Sequence, residues 1–276
     1  MPSTYAHYRM GKEVWQALSG RERERIDAHP EPYLIGLHGP DILFYYHALS
    51  NNPVNAIGYG LHDEPGRAFF EQVRMTVQHS PEQAAALSYA YGLLNHFALD
   101  VSCHAYVDEK EAASGVTHAE IEVEFDRCLM LKDGLNPVTH VLTDHLRPSS
   151  GNAKVIAPFY PGTTQKQIQK ALHSMIFQNR MLLCGSVLKR QFIYTVLRLT
   201  GNYEQMHGLI VNPHGNPACA DSNARLFDLY GLAIQRGKDF IGGFDAYLKG
   251  ETELPSIFDC TFGGIKPETA GNEAEK

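Results

Sequence analysis

The stretch Asn95–Ala105 reads NHFALDVSCHA. His96, Asp100 and His104 recur in it at every fourth position, among Phe97, Ala98, Leu99 and Val101. Residues four apart differ by about 40° around an α-helix, so three metal-capable side chains form one gently drifting stripe. The other directions are mostly apolar. A polar stripe on such a helix is costly unless its members are satisfied. Local hydrogen bonds would satisfy them, and so would a metal ion. Either way the spacing calls for an uninterrupted helix, and the fold is built around it.

The helix has a start signal. Ser80-Pro81-Glu82-Gln83 offers an N-cap, a proline at the first position and an acid behind it. It is expected to run from Pro81 to about Tyr106, and its Ala, Leu and Tyr content makes it a central helix buried on most sides. Further helices are expected over Lys12–Ala28, Pro65–His79, Thr117–Leu131, 136–146, 164–199 and Asn223–Lys249. Pro32 opens another, which Gly39-Pro40 stops, leaving Asp41 at a junction. Residues 147–164 read as the longest irregular connection and 211–221 as a Pro/Asn/Gly loop. There is no internal repeat and no strand alternation of length. The expected fold is all-α: one domain of eight to ten helices over 1–250, then a loosely ordered C-terminal tail over 251–276.

Composition narrows the function. The chain has 276 residues, 43% hydrophobic and 20% charged, enough to bury a sizeable core. A formal charge of −7 argues against a duplex nucleic-acid partner. Fourteen histidines are roughly twice the usual share, and most precede residue 146, a reason to look for metal. Five cysteines form no CxxC pair and are odd in number, so a disulfide framework is not expected and a reducing compartment is. The N-terminus shows no secretory signal and no run of about 18 apolar residues could span a bilayer. A cytoplasmic location is expected, unless the chain is a processed form whose signal has been removed.

Four more pieces join the stripe. His118 and Glu122 are i and i+4 at the start of a helix; His62 lies in GLHDEP; Asp41 lies at the break in HGPDILFYY; His7 is near the start. Together they supply His7, His62, His96, His104, His118, Asp41, Asp100 and Glu122. A catalytic zinc needs three protein ligands plus water, so eight suit two or three ions with a bridging carboxylate. Mixed imidazole and carboxylate ligands favour zinc, with manganese or iron as alternatives, over calcium or magnesium. The positive charge of the ions exceeds that of three carboxylates, which suits a phosphate and a metal-activated water.

This order resembles the bacterial zinc-dependent phospholipase C family, which shares an all-α fold and a trinuclear zinc site with the P1 nucleases. The resemblance covers residues 1–130 as motifs and the remainder as helical character. It implies a phosphodiester hydrolase in which metal-bound water attacks phosphorus in a phospholipid-like substrate. It implies one zinc on Asp41, His62, His96 and Asp100, a second on His104, His118 and Glu122, and a third on His7, with Asp100 bridging. Asp41 would also orient or deprotonate the water, which makes it the catalytic candidate. The sequence departs from the family in three places. No signal is visible whose cleavage would expose an N-terminal amine, so the third site would be empty, or completed by His38, His47 or a free Pro2 amine. His104 follows Asp100 at four residues where the family has six, as a helix running on would require. Ile42 stands where the family has a choline-contacting aromatic, so the headgroup is left open.

Rival readings remain. His62-Asp63 is an HD pair, and an HD-type phosphohydrolase would need Asp63 as a ligand. A P1-like nuclease and a non-catalytic metal-binding module are the others. His140, Asp144 and His145 read as a surface helix, and Cys103 as core.

Overall fold

In the computed structural model, which describes residues 4–266, the chain runs through α1 (Thr4–Ala17), α2 (Gly20–Ala28), α3 (Pro30–Gly36), α4 (Pro53–Asp63), α5 (Gly66–His79), α6 (Gln83–Ser114) and α7 (His118–Lys132). It continues through α8 (Ser150–Ile156), α9 (Gln165–Leu182), α10 (Val187–Leu199), α11 (Tyr203–Met206) and α12 (Ala220–Lys249). Short 3-10 turns fill several joins, including Gly39–Tyr45. Among the described residues there is no strand, only an isolated bridge between Pro65 and Thr261. The fold is all-α.

α6 is the axis. From Ala85 to Val101 every residue is buried. A run rich in Ala and Leu has the propensity for one long helix, and the packing of its neighbours buries every side of it. α3 crosses α6 at Gly36 and Gly92: a Cβ on Gly36 would lie 2.4 Å from the Tyr89 carbonyl oxygen, and one on Gly92 2.4 Å from that of Tyr33. Only glycine allows this approach. α12 lies along another side, with Gly237 against Asn95. The Asn95 amide donates to the Tyr33 hydroxyl at 2.8 Å, which donates to the Gly11 carbonyl at 2.7 Å. This buried chain ties α6, α3 and α1 together, and breaking it would strand polar atoms away from water.

One cluster of buried side chains runs from Tyr5 to Phe262. A smaller one holds Cys184, Leu197 and Ile210.

Several expectations are corrected. The helix expected over Lys12–Ala28 is two, α1 and α2, parted where Gly20 takes a positive φ of 65°. The helix expected over 164–199 breaks between Leu182 and Val187, around Gly185-Ser186. Residues 136–146 form turns rather than a helix: Asn136 accepts from the Val138 N–H, and the segment buries Thr143, His145 and Leu146. The connection over 147–164 contains α8, capped by Ser149. α4 was not foreseen; Asn52 and Asn55 form its capping box and Pro53 opens it. The stretch after Glu251 is not loose as far as it is described. Leu254, Phe258 and Phe262 are buried in the main cluster, and the Gly66 N–H donates to the Cys260 carbonyl at 2.9 Å. Residues 267–276 lie outside the described residues.

Candidate metal centre

The centre is assembled on one side of α6. His96, Asp100 and His104 all face it, and α6 continues unbroken past His104, as the four-residue spacing requires. The three surrounding elements each have a local reason for their place. Gly39 adopts a φ of 50°, and a Cβ there would meet the His96 ring at 2.2 Å, so glycine alone lets the chain turn over that ring. The turn delivers Asp41, whose N–H donates to the His38 carbonyl. α4 delivers His62 from its last turn. α1 delivers His7, and its start is held from α7: Asp126 accepts from the N–H groups of Tyr5 at 2.9 Å and Ala6 at 2.7 Å. A carboxylate at a helix N-terminus satisfies orphan donors and suits the helix dipole. α7 itself, capped by Thr117, brings His118 and Glu122.

All eight predicted residues meet in one continuous cluster. His62 Nε2 lies 3.0 Å from Asp41 Oδ1, and His96 Nε2 3.9 Å from the same oxygen. Asp100 sits at the middle. Its Oδ2 is 3.0 Å from His96 Nε2, while its Oδ1 is 3.1 Å from His7 Nε2 and 3.5 Å from His104 Nε2. Glu122 Oε1 is 3.1 Å from His104 Nε2 and 3.0 Å from His118 Nε2. Three sets have ligand atoms close enough to share an ion: Asp41, His62 and His96; His7, His96 and Asp100; His104, His118 and Glu122. Asp108, Glu111 and His118 form a more exposed fourth. A cavity of about 20 Å³ between His7, Asp100, His104 and Glu122 has room for about one ion or water.

The hydrogen bonds test whether these residues suit a metal. His62 Nδ1 contacts the Gly58 carbonyl at 2.8 Å, and His96 Nδ1 the Leu37 carbonyl at 3.2 Å. A carbonyl can only accept, so Nδ1 carries a proton and Nε2 is the nitrogen turned to the cluster. This is the arrangement that orients metal-ligating histidines. Asp41 Oδ1, His62 Nε2, His96 Nε2, Asp100 Oδ2 and Glu122 Oε2 are buried without a hydrogen bond. Buried polar atoms are rarely left so. Nitrogen and oxygen atoms that converge without a hydrogen bond fit a cation.

The charges agree. Burial opposes ionisation of Asp100, but His96, His104 and His7 outweigh it and hold the carboxyl well below its usual range. Burial likewise opposes ionisation of Glu122, and His118 and His104 prevail. Burial pulls His104 down, yet Asp100 and Glu122 lift it to about 9. His7 is lowered, by burial and then by His96.

Other residues fall outside the cluster. Asp63 is exposed and belongs to none of the candidate sets, so an HD-type site lacks its aspartate. His47 is exposed and 2.8 Å from Lys170. His38 is buried, but its Nε2 is 2.7 Å from His145 Nε2. His145 is therefore not on a surface helix, and its ring also stacks on Tyr8. Pro2 lies outside the described residues. Cys103 is buried in the main core, and burial pushes its thiol up. Sequence reasoning missed His145, Asp126 and Phe262. Phe262 packs 5.0 Å from the His62 ring and 5.8 Å from that of His96.

The family model for zinc-dependent phospholipase C matches residues 6–173, a stretch that contains all eight residues of the cluster. The chain belongs to the zinc-dependent phospholipase C family. No curated protein and no solved structure gives a significant match to it. Family membership makes the chain a phospholipase-C-like, metal-dependent hydrolase, and its convergent His, Asp and Glu groups are in keeping with that. Among the described residues no helix is long and apolar enough to cross a membrane.

Proposed function

We propose that the chain hydrolyses the phosphodiester of a phospholipid-like substrate at two or three zinc ions held by His7, Asp41, His62, His96, Asp100, His104, His118 and Glu122. The observation that carries this reading is the set of buried, unpaired nitrogen and oxygen atoms converging around Asp100, inside the stretch that matches the family. When bound, zinc supplies Lewis acidity opposite the phosphoryl oxygens and lowers the pKa of water.

The chain's own groups do the remainder. Asp100 turns one oxygen to His96 and the other to His7 and His104, the placement a bridging carboxylate needs. Gly58 and Leu37 hold the His62 and His96 rings with Nε2 inward, so neither must reorient to take an ion. Asp41, whose Oδ1 makes no hydrogen bond, would orient the attacking water and accept its proton; as the new P–O bond forms the ester P–O bond breaks, and the departing alcohol takes a proton from solvent. His62 and His118, each partly exposed, mark the rim by which a phosphate reaches the ions.

Metal analysis of the purified protein, with hydrolysis of a soluble short-chain phospholipid, tests the reading. Two or three zinc ions and turnover are expected, and His96→Ala should lose both. Unchanged zinc content in His96→Ala would overturn the site. Stoichiometric zinc without turnover on any phosphodiester would make the protein a binding module. Preference for single-stranded nucleic acid over phospholipid would make it a P1-like nuclease.

A further inference from the structure

Between Asp144 and Glu204 the chain has eight Lys and Arg residues and no acid, although its overall charge is −7. This segment includes α9 and α10, and its part beyond residue 173 lies outside the family match. α10 rests on the small cluster of Cys184, Leu197 and Ile210. Its other face is bare. Leu188 is 82% exposed, Phe192 68%, Val196 41% and Leu199 83%.

These four form a stripe about 80° wide and about 16 Å long on an α-helix. Leu197 and the buried Arg190 lie on the opposite side. Lys189 and Arg198, both exposed, flank the stripe at about 100° and −80° from Leu188. Phe177, 67% exposed, and the exposed Arg180 extend the surface along the end of α9. Apolar side chains bounded by cations are the pattern of a helix lying in a bilayer interface: the stripe enters the acyl boundary and the cations meet anionic headgroups.

The segments that carry and follow this surface abut the walls of the centre on two sides. Asn179 Nδ2 donates to the Tyr45 hydroxyl at 3.3 Å, in the turn that carries Asp41. The segment after α10 packs Gly208 against Thr117 and Glu120 at the start of α7, beside His118.

We propose that α10 and the end of α9 dock on the surface of an anionic phospholipid bilayer and hold the metal centre against its substrate. The proposal rests on the hydrolase reading for its purpose, but binding and hydrolysis can be measured separately. The probes are vesicles of phosphatidylcholine alone and of phosphatidylcholine with phosphatidylglycerol, scored by co-sedimentation on ice. The full chain should prefer the anionic vesicles, and added salt should weaken binding. Leu188→Ser with Phe192→Ser should weaken it by roughly tenfold or more. Arg180→Gln, a milder surface change, should weaken it by roughly fivefold. Both variants should keep the wild-type thermal midpoint and full turnover of a soluble short-chain phospholipid. If the double variant does not fold, Arg180→Gln and the salt series carry the test. Equal binding to neutral and anionic vesicles, or binding unchanged in the variants, would overturn the proposal. So would a wild-type dimer that the double variant makes monomeric, because a second copy would then cover the stripe. Anionic-vesicle binding as expected, with no hydrolysis of any lipid, would uphold the docking surface and overturn the hydrolase.

Discussion

The two ends of the cluster are held in different ways. At one end His62 and His96 lean on the carbonyls of Gly58, in α4, and Leu37, in the turn that ends α3. Those rings donate Nδ1–H to main chain, with Nε2 already turned inward. At the other end His118 is bracketed by carboxylates, with Nδ1 2.8 Å from Asp108 and Nε2 3.0 Å from Glu122. A ring that touches two carboxylates is drawn towards its charged form; burial resists this and Glu122 prevails, so the His118 pKa is raised. Asp108 itself is exposed. One end is thus preformed by main-chain packing, and the other depends on side chains at a rim. The lesson is that candidate ligands of similar type can differ in how much of their geometry the fold itself supplies.

The strongest way to break the comparison is to remove what the ends share. Asp100→Asn should lower zinc content at both, and cut hydrolysis by more than the roughly 100-fold that losing an outer-shell partner costs. Metal analysis that found full zinc in this variant would mean Asp100 bridges nothing.

Gly39→Ala strikes only the preformed end. The new methyl must occupy a positive φ and displace the His96 ring. A loss of about 1–3 kcal/mol in denaturant unfolding is expected. Zinc binding should weaken first at Asp41, His62 and His96. Wild-type stability would show that the turn over His96 is slack.

Asp108→Asn strikes only the rim. Roughly tenfold weaker binding of one zinc is expected, with the remaining zinc unchanged in a stepwise titration. Equal weakening of every step would erase the distinction between the ends.

The most gradual effect, spread over several pH units, lies behind the preformed end, where His38 meets His145. Burial pushes His145 down to about 3, followed by Arg147 and Lys12. As pH falls from about 6.5, the unfolded chain takes up a proton that the fold refuses until about 3. Stability is therefore lost on acidification, by at most about 1.4 kcal/mol per pH unit for one ring. His145→Asn should flatten that slope by one proton and leave the slope above pH 7 unchanged. Unfolding measured as a function of pH checks it, and an unaltered acid slope would remove His145 from the account.

Much of the centre was legible because its residues repeat at helical spacing. His96, Asp100 and His104 share a stripe, and His118 and Glu122 share another, so local geometry alone predicts that each set faces one way. Asp41 was legible through its Gly-Pro break. His145 was not: its neighbours Asp144 and Arg147 are polar, and nothing local shows that the ring turns inward to His38. Asp126 sits among the acids of α7, and its role is to cap a helix 120 residues away. Phe262 lies in a stretch whose composition suggested a loose tail. The helix expected over 136–146 failed because tertiary burial of Thr143, His145 and Leu146 overrode a local pattern.

What the sequence by itself determined is the helical class, the long central helix and the chemical type of the site. These follow from periodicity, capping and side-chain chemistry, which act within a few residues of one another. Only the tertiary structure decided which stripe meets which, because the energy of burying two faces together depends on pairs far apart in the chain. It aimed His7 by way of Asp126, turned the chain over His96 at Gly39, and left the apolar face of α10 bare. Each is a long-range packing outcome, and local sequence carries no term for it.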